Sequence, residues 1–202
     1  MKQNIQQFNY LVDAFKSLPG VGYKTAVKWT YFVLKQDSTY ANTFASRILD
    51  AYKSIKKCEK CCNITLNNIC DICNSHLRDY TKLCIVTSCE DLQRIEDTDC
   101  YNGLYFVLDE EVNVRNRNIP LKSIERLKQY LYNNIDLKEV IIATNFNLQG
   151  ELMANKIMEL INKNPNIVAY RIGFGLPLNS ALDYADNETI KYAFLNKNKL
   201  KG

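Results

Sequence analysis

Eight cysteines lie in the 202-residue chain, and four of them, Cys58, Cys61, Cys70 and Cys73, repeat as C-x2-C-x8-C-x2-C. A C-x2-C pair lets two thiolates face one ion from a single tight turn. Two such turns supply the four sulfurs of a tetrahedral zinc and leave no position for water or substrate. The chemistry this predicts is structural, not catalytic. One zinc per chain held this way contributes about 10 to 16 kcal/mol of apparent binding free energy, more than the few apolar side chains of so short a segment. Disulfides are the alternative for eight cysteines, and the polar, amphipathic opening MKQNIQQFNY, with no apolar signal run, argues against them. Cys62 reads as a spare thiol, since adjacent residues rarely both reach one ion. Cys84, Cys89 and Cys100 read as small buried apolar residues in a reduced cytosol, and His76, the only histidine, as a solvated loop residue.

A second constellation suits anions. In Leu18-Pro19-Gly20-Val21-Gly22-Tyr23-Lys24-Thr25-Ala26, Gly20 and Gly22 permit positive φ and close backbone approach, so the free N–H groups of the helix that follows can meet a phosphate. Lys24 lies one turn into that helix and Lys28 four residues on, on the same face, where both would neutralise phosphates without reading bases. The plain alternative is a helix-turn-helix corner whose glycines only solve a steric problem. Trp29 and Phe32 are expected to pack inside this segment.

These residues need elements to hold them. Phe8, Leu11, Val12, Phe15 and Leu18 recur at helical spacing, a second helix runs from about Tyr23 to Lys35, and a third carries Tyr40, Phe44, Ile48, Ala51 and Ile55 on one face. Beyond the cysteines the pattern changes to short β-rich runs at 83–86, 104–108, 140–143 and 167–170, with helical segments at 89–97, 121–134 and 148–163. The order β-α-β-α-β-α-β predicts an α/β domain with a parallel sheet. Any ligand site of such a sheet lies at the strand C-terminal ends, around Thr87-Ser88, Asp109-Glu110-Glu111 and Thr144-Asn145. At 47% hydrophobic the chain has material for one or two cores, and no apolar run is long enough to span a bilayer. The net charge of +4 is uneven: residues 1–57 hold nine Lys/Arg against three Asp/Glu, and residues 82–186 hold eleven against fifteen. The basic end suits a polyanion or is simply a solvated face.

Taken together, LPGVGYKTA, CEKCCNITLNNICDIC, ATNFNLQGELMA and the tail RIGFGLPLNSALDYADNETIKYAF resemble, in this order, the bacterial recombination mediator family RecR over nearly the whole chain. In the tail, Gly175-Leu176-Pro177 and Leu182-Asp183-Tyr184-Ala185-Asp186 hold the motif positions. The resemblance implies a helix-hairpin-helix domain (1–57), a zinc finger (58–81), a Toprim-type parallel sheet with flanking helices (82–172) and a C-terminal motif and helix (173–202). It implies a cytoplasmic, nucleoid-associated DNA-repair factor without catalysis, assembling with itself as a dimer or ring-like tetramer. Its partners would be single- and double-stranded DNA, RecO and in many bacteria RecF, with the outcome that RecA replaces single-strand-binding protein. Lys24 and Lys28, with Gly20 and Gly22, would contact DNA, and Cys58, Cys61, Cys70 and Cys73 would bind zinc.

The departures from the family fall on the sheet. A catalytic Toprim site clusters a glutamate after its first strand and an Asp-x-Asp pair after a later one, because carboxylates must hold magnesium. Here the first position is Thr87, with Glu90 three residues later, and the second motif reads Gln149-Gly150-Glu151. Family members usually keep glutamate at the positions of Thr87 and Gln149, and a glycine-rich stretch where this chain has DEEVNVRNRNIP. Glu90 and Glu151 are thus a residual acidic site or a partner-binding edge. Arg171 is placed to bind a phosphate or a partner carboxylate, or to act as a structural cap. The competing reading is a magnesium-dependent nuclease or primase-like enzyme in which Glu90, Asp109, Glu110 and Glu151 converge; a third is a zinc-stabilised interaction module with a merely solvated basic face.

Overall fold

Capping side chains set where several of the helices begin. Asp37 accepts the Tyr40 amide at the start of one, Ser88 and Asp91 form a reciprocal capping box at another, and Asn147 accepts the Gly150 amide at a third. The structure, a computed structural model, describes residues 5–108, 121–173, 183 and 185–195. The chain divides into two compact units, Met1–Ile55 and Lys56–Gly202.

The first unit holds α1 (Gln6–Lys16), α2 (Tyr23–Leu34) and α3 (Ser38–Ser54). Helix α1 packs on α2, with Val12, Ala26 and Thr30 buried between them; the Thr30 hydroxyl donates to the Ala26 carbonyl. Trp29 and Phe32 do not pack inside as expected. Trp29 stands edge-on to Phe15 and Phe32 edge-on to Tyr40, yet 39% and 51% of their surfaces remain exposed. So small a three-helix unit has too little interior to bury both faces of α2. Helix α3 buries no residue, and its face of Tyr40, Phe44, Ile48 and Ile55 is open to water.

The second unit begins with the antiparallel pair β1 (Lys56–Lys57) and β2 (Ile64–Thr65), followed by the one-turn α4 (Asp71–Asn74). The sheet comprises β3 (Asp79–Val86), β4 (Gly103–Val107), β5 (Glu139–Ala143) and β6 (Val168–Arg171) in the order β4-β3-β5-β6, and every pairing is parallel. Its connections are α5 (Cys89–Glu96), α6 (Leu121–Asn133) and α7 (Leu148–Ile161). Right-handed crossovers put α5 on one face and α6 and α7 on the other. Leu83, Ile85, Tyr105, Phe106, Leu127, Ile142 and Ile157 form the centre of a single apolar core. The chains leaving β3 and β5 run in opposite directions, so the crevice between these neighbours is the switch point where such sheets bind ligands. Last comes α8 (Asn187–Leu195), capped by Asp186, which accepts the Thr189 amide at 3.0 Å. Those bonds hold the Asp186 carboxyl below its ordinary range. Of the expected sites, Asp109, Glu110 and Glu111, the rest of 109–120, and Gly175, Leu176, Pro177, Leu182 and Tyr184 lie outside the described residues.

Candidate metal centre and nucleic-acid interface

Two short turns bring the four cysteines together. In the first, the Cys62 amide donates to the Cys58 carbonyl at 3.0 Å and the Cys58 amide to Asn63 at 2.7 Å, closing a knuckle between β1 and β2. In the second, Cys70 precedes α4 and its carbonyl accepts the Asn74 amide at 3.0 Å. The Sγ atoms of Cys58, Cys61, Cys70 and Cys73 lie within 4.8 Å of one another, all four residues are buried, and all are free thiols. A zinc with bonds of about 2.3 Å to tetrahedral sulfurs requires S···S separations of about 3.8 Å, a spacing compatible with four sulfurs that all lie within 4.8 Å. The Cys61 and Cys70 sulfurs are 3.5 Å apart, and the Cys70 amide donates to Cys58 Sγ at 3.3 Å, the kind of backbone bond that supports a thiolate. Hydrogen bonds with Cys70 and Cys73, together with burial, push the Cys61 thiol up, so four thiolates at such close range require a cation among them. The donor set fits a closed zinc site. Among the described residues no other group of three or more His, Cys, Asp or Glu converges.

The remaining cysteines divide. Cys84 is buried in β3, where burial pushes its thiol up to about 12. Cys89 is half-buried, and Cys100 is exposed, contrary to expectation: it follows the left-handed Asp99 in the turn leaving α5, and its sulfur accepts from the Thr98 hydroxyl. Cys62 joins the core of the sheet instead of the cage, on a left-handed backbone (φ 66°). His76 is exposed, as expected.

At the crevice, among the described residues, no three acids gather. Glu90 is exposed in the first turn of α5, Gln149 is exposed on α7, and the buried Thr87 hydroxyl has no partner among the described residues. Glu151 is met by Arg171, whose Nη2 donates to Glu151 Oε1 at 2.9 Å and to the Asn145 carbonyl at 3.2 Å, while Nη1 donates to the Ile142 carbonyl at 2.8 Å. The same guanidinium lies 4.5 Å from the centre of the Phe146 ring. These bonds tie β6 to the end of β5 and to the start of α7.

In the first unit, the Val21 amide bonds to the Leu18 carbonyl at 3.2 Å and Gly20 takes φ 76°, as a reversal between helices requires. Gly22 differs from expectation. It is the N-cap of α2 at φ −79° and ψ 164°, ordinary extended backbone. What it provides is an open helix start, with no side-chain cap and no acid in the first turn. Lys24 and Lys28 are both exposed beside it. Uncapped N–H groups, the positive end of a helix and two exposed lysines give this helix start a positive potential.

Two family models match the chain: "RecR, helix-hairpin-helix" over residues 8–52 and "Toprim domain" over residues 81–173. Recombination protein RecR of Ureaplasma urealyticum is 47% identical over 197 residues, covering 96% of this chain and 97% of the relative. The chain belongs to the RecR family. RecR proteins of Ureaplasma parvum and Francisella philomiragia are 45% and 34% identical, the latter over 95% of this chain and 94% of its own length.

Three features of this RecR chain escape a reading of the sequence alone. The Val107 amide on the outer side of β4 donates to the Cys61 carbonyl at 2.8 Å, so the first knuckle is fastened to the edge of the sheet. Arg78, Glu96 and Tyr105 form a half-buried network, with Arg78 Nη1 2.9 Å and the Tyr105 hydroxyl 2.6 Å from Glu96 Oε1. Burial would raise the Glu96 carboxyl, but the donated bonds from Arg78 and Tyr105 outweigh it and hold the group below its ordinary range. Gly150 has no room for a side chain, since a Cβ there would fall 1.8 Å from the Asn145 carbonyl oxygen. The glycine inside ATNFNLQGE was the one available signal for this close approach.

Proposed function

We propose that this protein is a DNA-binding recombination mediator that grips sugar-phosphate backbones and catalyses no reaction. The observation that carries the reading is the open N-terminus of α2 flanked by exposed Lys24 and Lys28, within the segment matched by the RecR helix-hairpin-helix model. Gly20 supplies the reversal and Gly22 the uncapped start. Cys58, Cys61, Cys70 and Cys73 hold one structural zinc, which braces the segment between the hairpin unit and the sheet. The functional division follows the motifs, with a hairpin domain at 1–57, the finger at 58–81, the Toprim-like domain at 82–172 and the tail from 173.

Subunits assemble with one another, and the assembly acts with RecO, and with RecF where present, to load RecA on DNA coated by single-strand-binding protein. Contacts without base readout make the binding independent of sequence. The work belongs in the cytoplasm at the nucleoid, in keeping with the finding that no described helix is long and apolar enough to cross a membrane. Against the nuclease or primase-like reading stands the Arg171–Glu151 pair: the last acid of the motif already has a cation, and among the described residues no three acids converge on it.

The test is a salt titration of DNA affinity. Removing two phosphate contacts lowers the slope of log K against log salt by about two. The Lys24→Ala/Lys28→Ala variant should therefore bind DNA more weakly at low salt and with that reduced slope, equally for any sequence. An unchanged slope would end the hairpin's role; magnesium-dependent cleavage abolished by Glu151→Ala would end the non-catalytic reading.

A further inference from the structure

Away from the cysteine cage and the crevice, the second unit carries a groove of about 570 Å³ where α6 and α7 end, at the opposite end of the sheet from the switch point. Its floor is the buried Ile161 with the partly buried Leu131, Leu160 and Ile167. Tyr132 and Ile135 stand at its mouth with 83% and 82% of their surfaces in water. Two neighbouring apolar side chains at such exposure give up stabilisation that a bound group would restore. Lys128 and Lys163 lie on the rim, and among the described residues neither has an ion-pair partner and no Asp or Glu lines the groove.

Apolar walls inside a rim whose described charged residues are both lysines select an occupant that is apolar at its centre and anionic at its flanks. We propose that this groove docks a short acidic segment of a partner protein, seating one bulky apolar side chain between Tyr132 and Ile135 while flanking carboxylates meet Lys128 and Lys163. Nucleic acid would satisfy the two lysines but leave the greasy interior unfilled. The chain's own segment 196–202, NKNKLKG, carries three lysines of the rim's own sign and so does not match it in charge. The volume is that of a small-ligand pocket, enough for one aromatic or branched side chain.

Fluorescence anisotropy on the full chain tests this with a labelled seven-residue peptide, one phenylalanine flanked by three glutamates on each side. Saturable binding is expected, weakened by about tenfold or more when the phenylalanine becomes alanine, and similarly by Lys128→Glu/Lys163→Glu. Ile135→Asp, at a site already open to water and so compatible with folding, should also abolish capture while leaving DNA affinity intact. That retained DNA affinity separates this surface from the hairpin. The absence of peptide binding, or binding indifferent to these changes, overturns the proposal. So does an Ile135→Asp variant that alters the mass of the assembly but not peptide affinity, because the groove would then belong to a second copy.

Discussion

At the scale of single residues, Gly150 shows how a motif position can be steric in origin. It sits in the first turn of α7, its amide donates to Asn147 Oδ1 and its carbonyl accepts from the Thr144 hydroxyl, so the loop from β5 is drawn tightly over the helix start. Alanine inside a helix ordinarily gains about 1 kcal/mol over glycine. Here the added Cβ meets backbone at 1.8 Å and the Asn145 carbonyl cannot yield without breaking the turn that aims Arg171 at Glu151. The clash wins. Gly150→Ala should destabilise the protein by about 3 kcal/mol, read by urea denaturation, whereas Gly22→Ala, with nothing near its Cβ position, should cost well under 1 kcal/mol. Equal midpoints for the two variants would refute the close-approach account.

At the scale of elements, the cysteine knuckle and the sheet are one construction. Strand β4 is an edge strand, yet all of its residues are buried, because α4 packs on it and the Cys61 carbonyl takes the Val107 amide that would otherwise face outward. With zinc as the proposed occupant, chelation should release this cover. Hydrogen exchange at the Val107 amide is expected to rise by an order of magnitude or more on treatment with a chelator. The Ile142 amide, in central β5, should change far less. Exchange at Val107 unaffected by metal removal would show that the knuckle holds without its ion. This coupling also marks the limit of what the sequence discloses. The sheet strands were legible because their apolar runs are bounded by helical patterns, and the cage was legible because four cysteines at fixed spacing have few other uses. The pair β1–β2 was not, since two-residue strands have no period to read. Nor was the knuckle's seat on β4, the triad of Arg78, Glu96 and Tyr105, or the docking of Arg171 on Glu151: each joins residues far apart in the chain, and local spacing carries no trace of them.

At the scale of the whole molecule, the first unit has little core of its own. Among its described residues only Val12, Ala26 and Thr30 are buried, while Phe44 and Ile48 on α3 remain 41% and 56% exposed. An amphipathic helix without a buried face gains its stability by association. The proposed assembly should therefore depend on α3. Light scattering should give a multiple of the 23.4 kDa chain mass, and Phe44→Glu/Ile48→Glu should lower it with little loss of helical circular dichroism. A protein that runs as a single chain at every concentration contradicts the assembly. The pairing of Glu151 with Arg171 has a consequence at this scale as well. A guanidinium tethered by its own backbone cannot be dialysed away or starved from the medium, so the charge of Glu151 stays balanced as the cell's supply of divalent ions rises and falls.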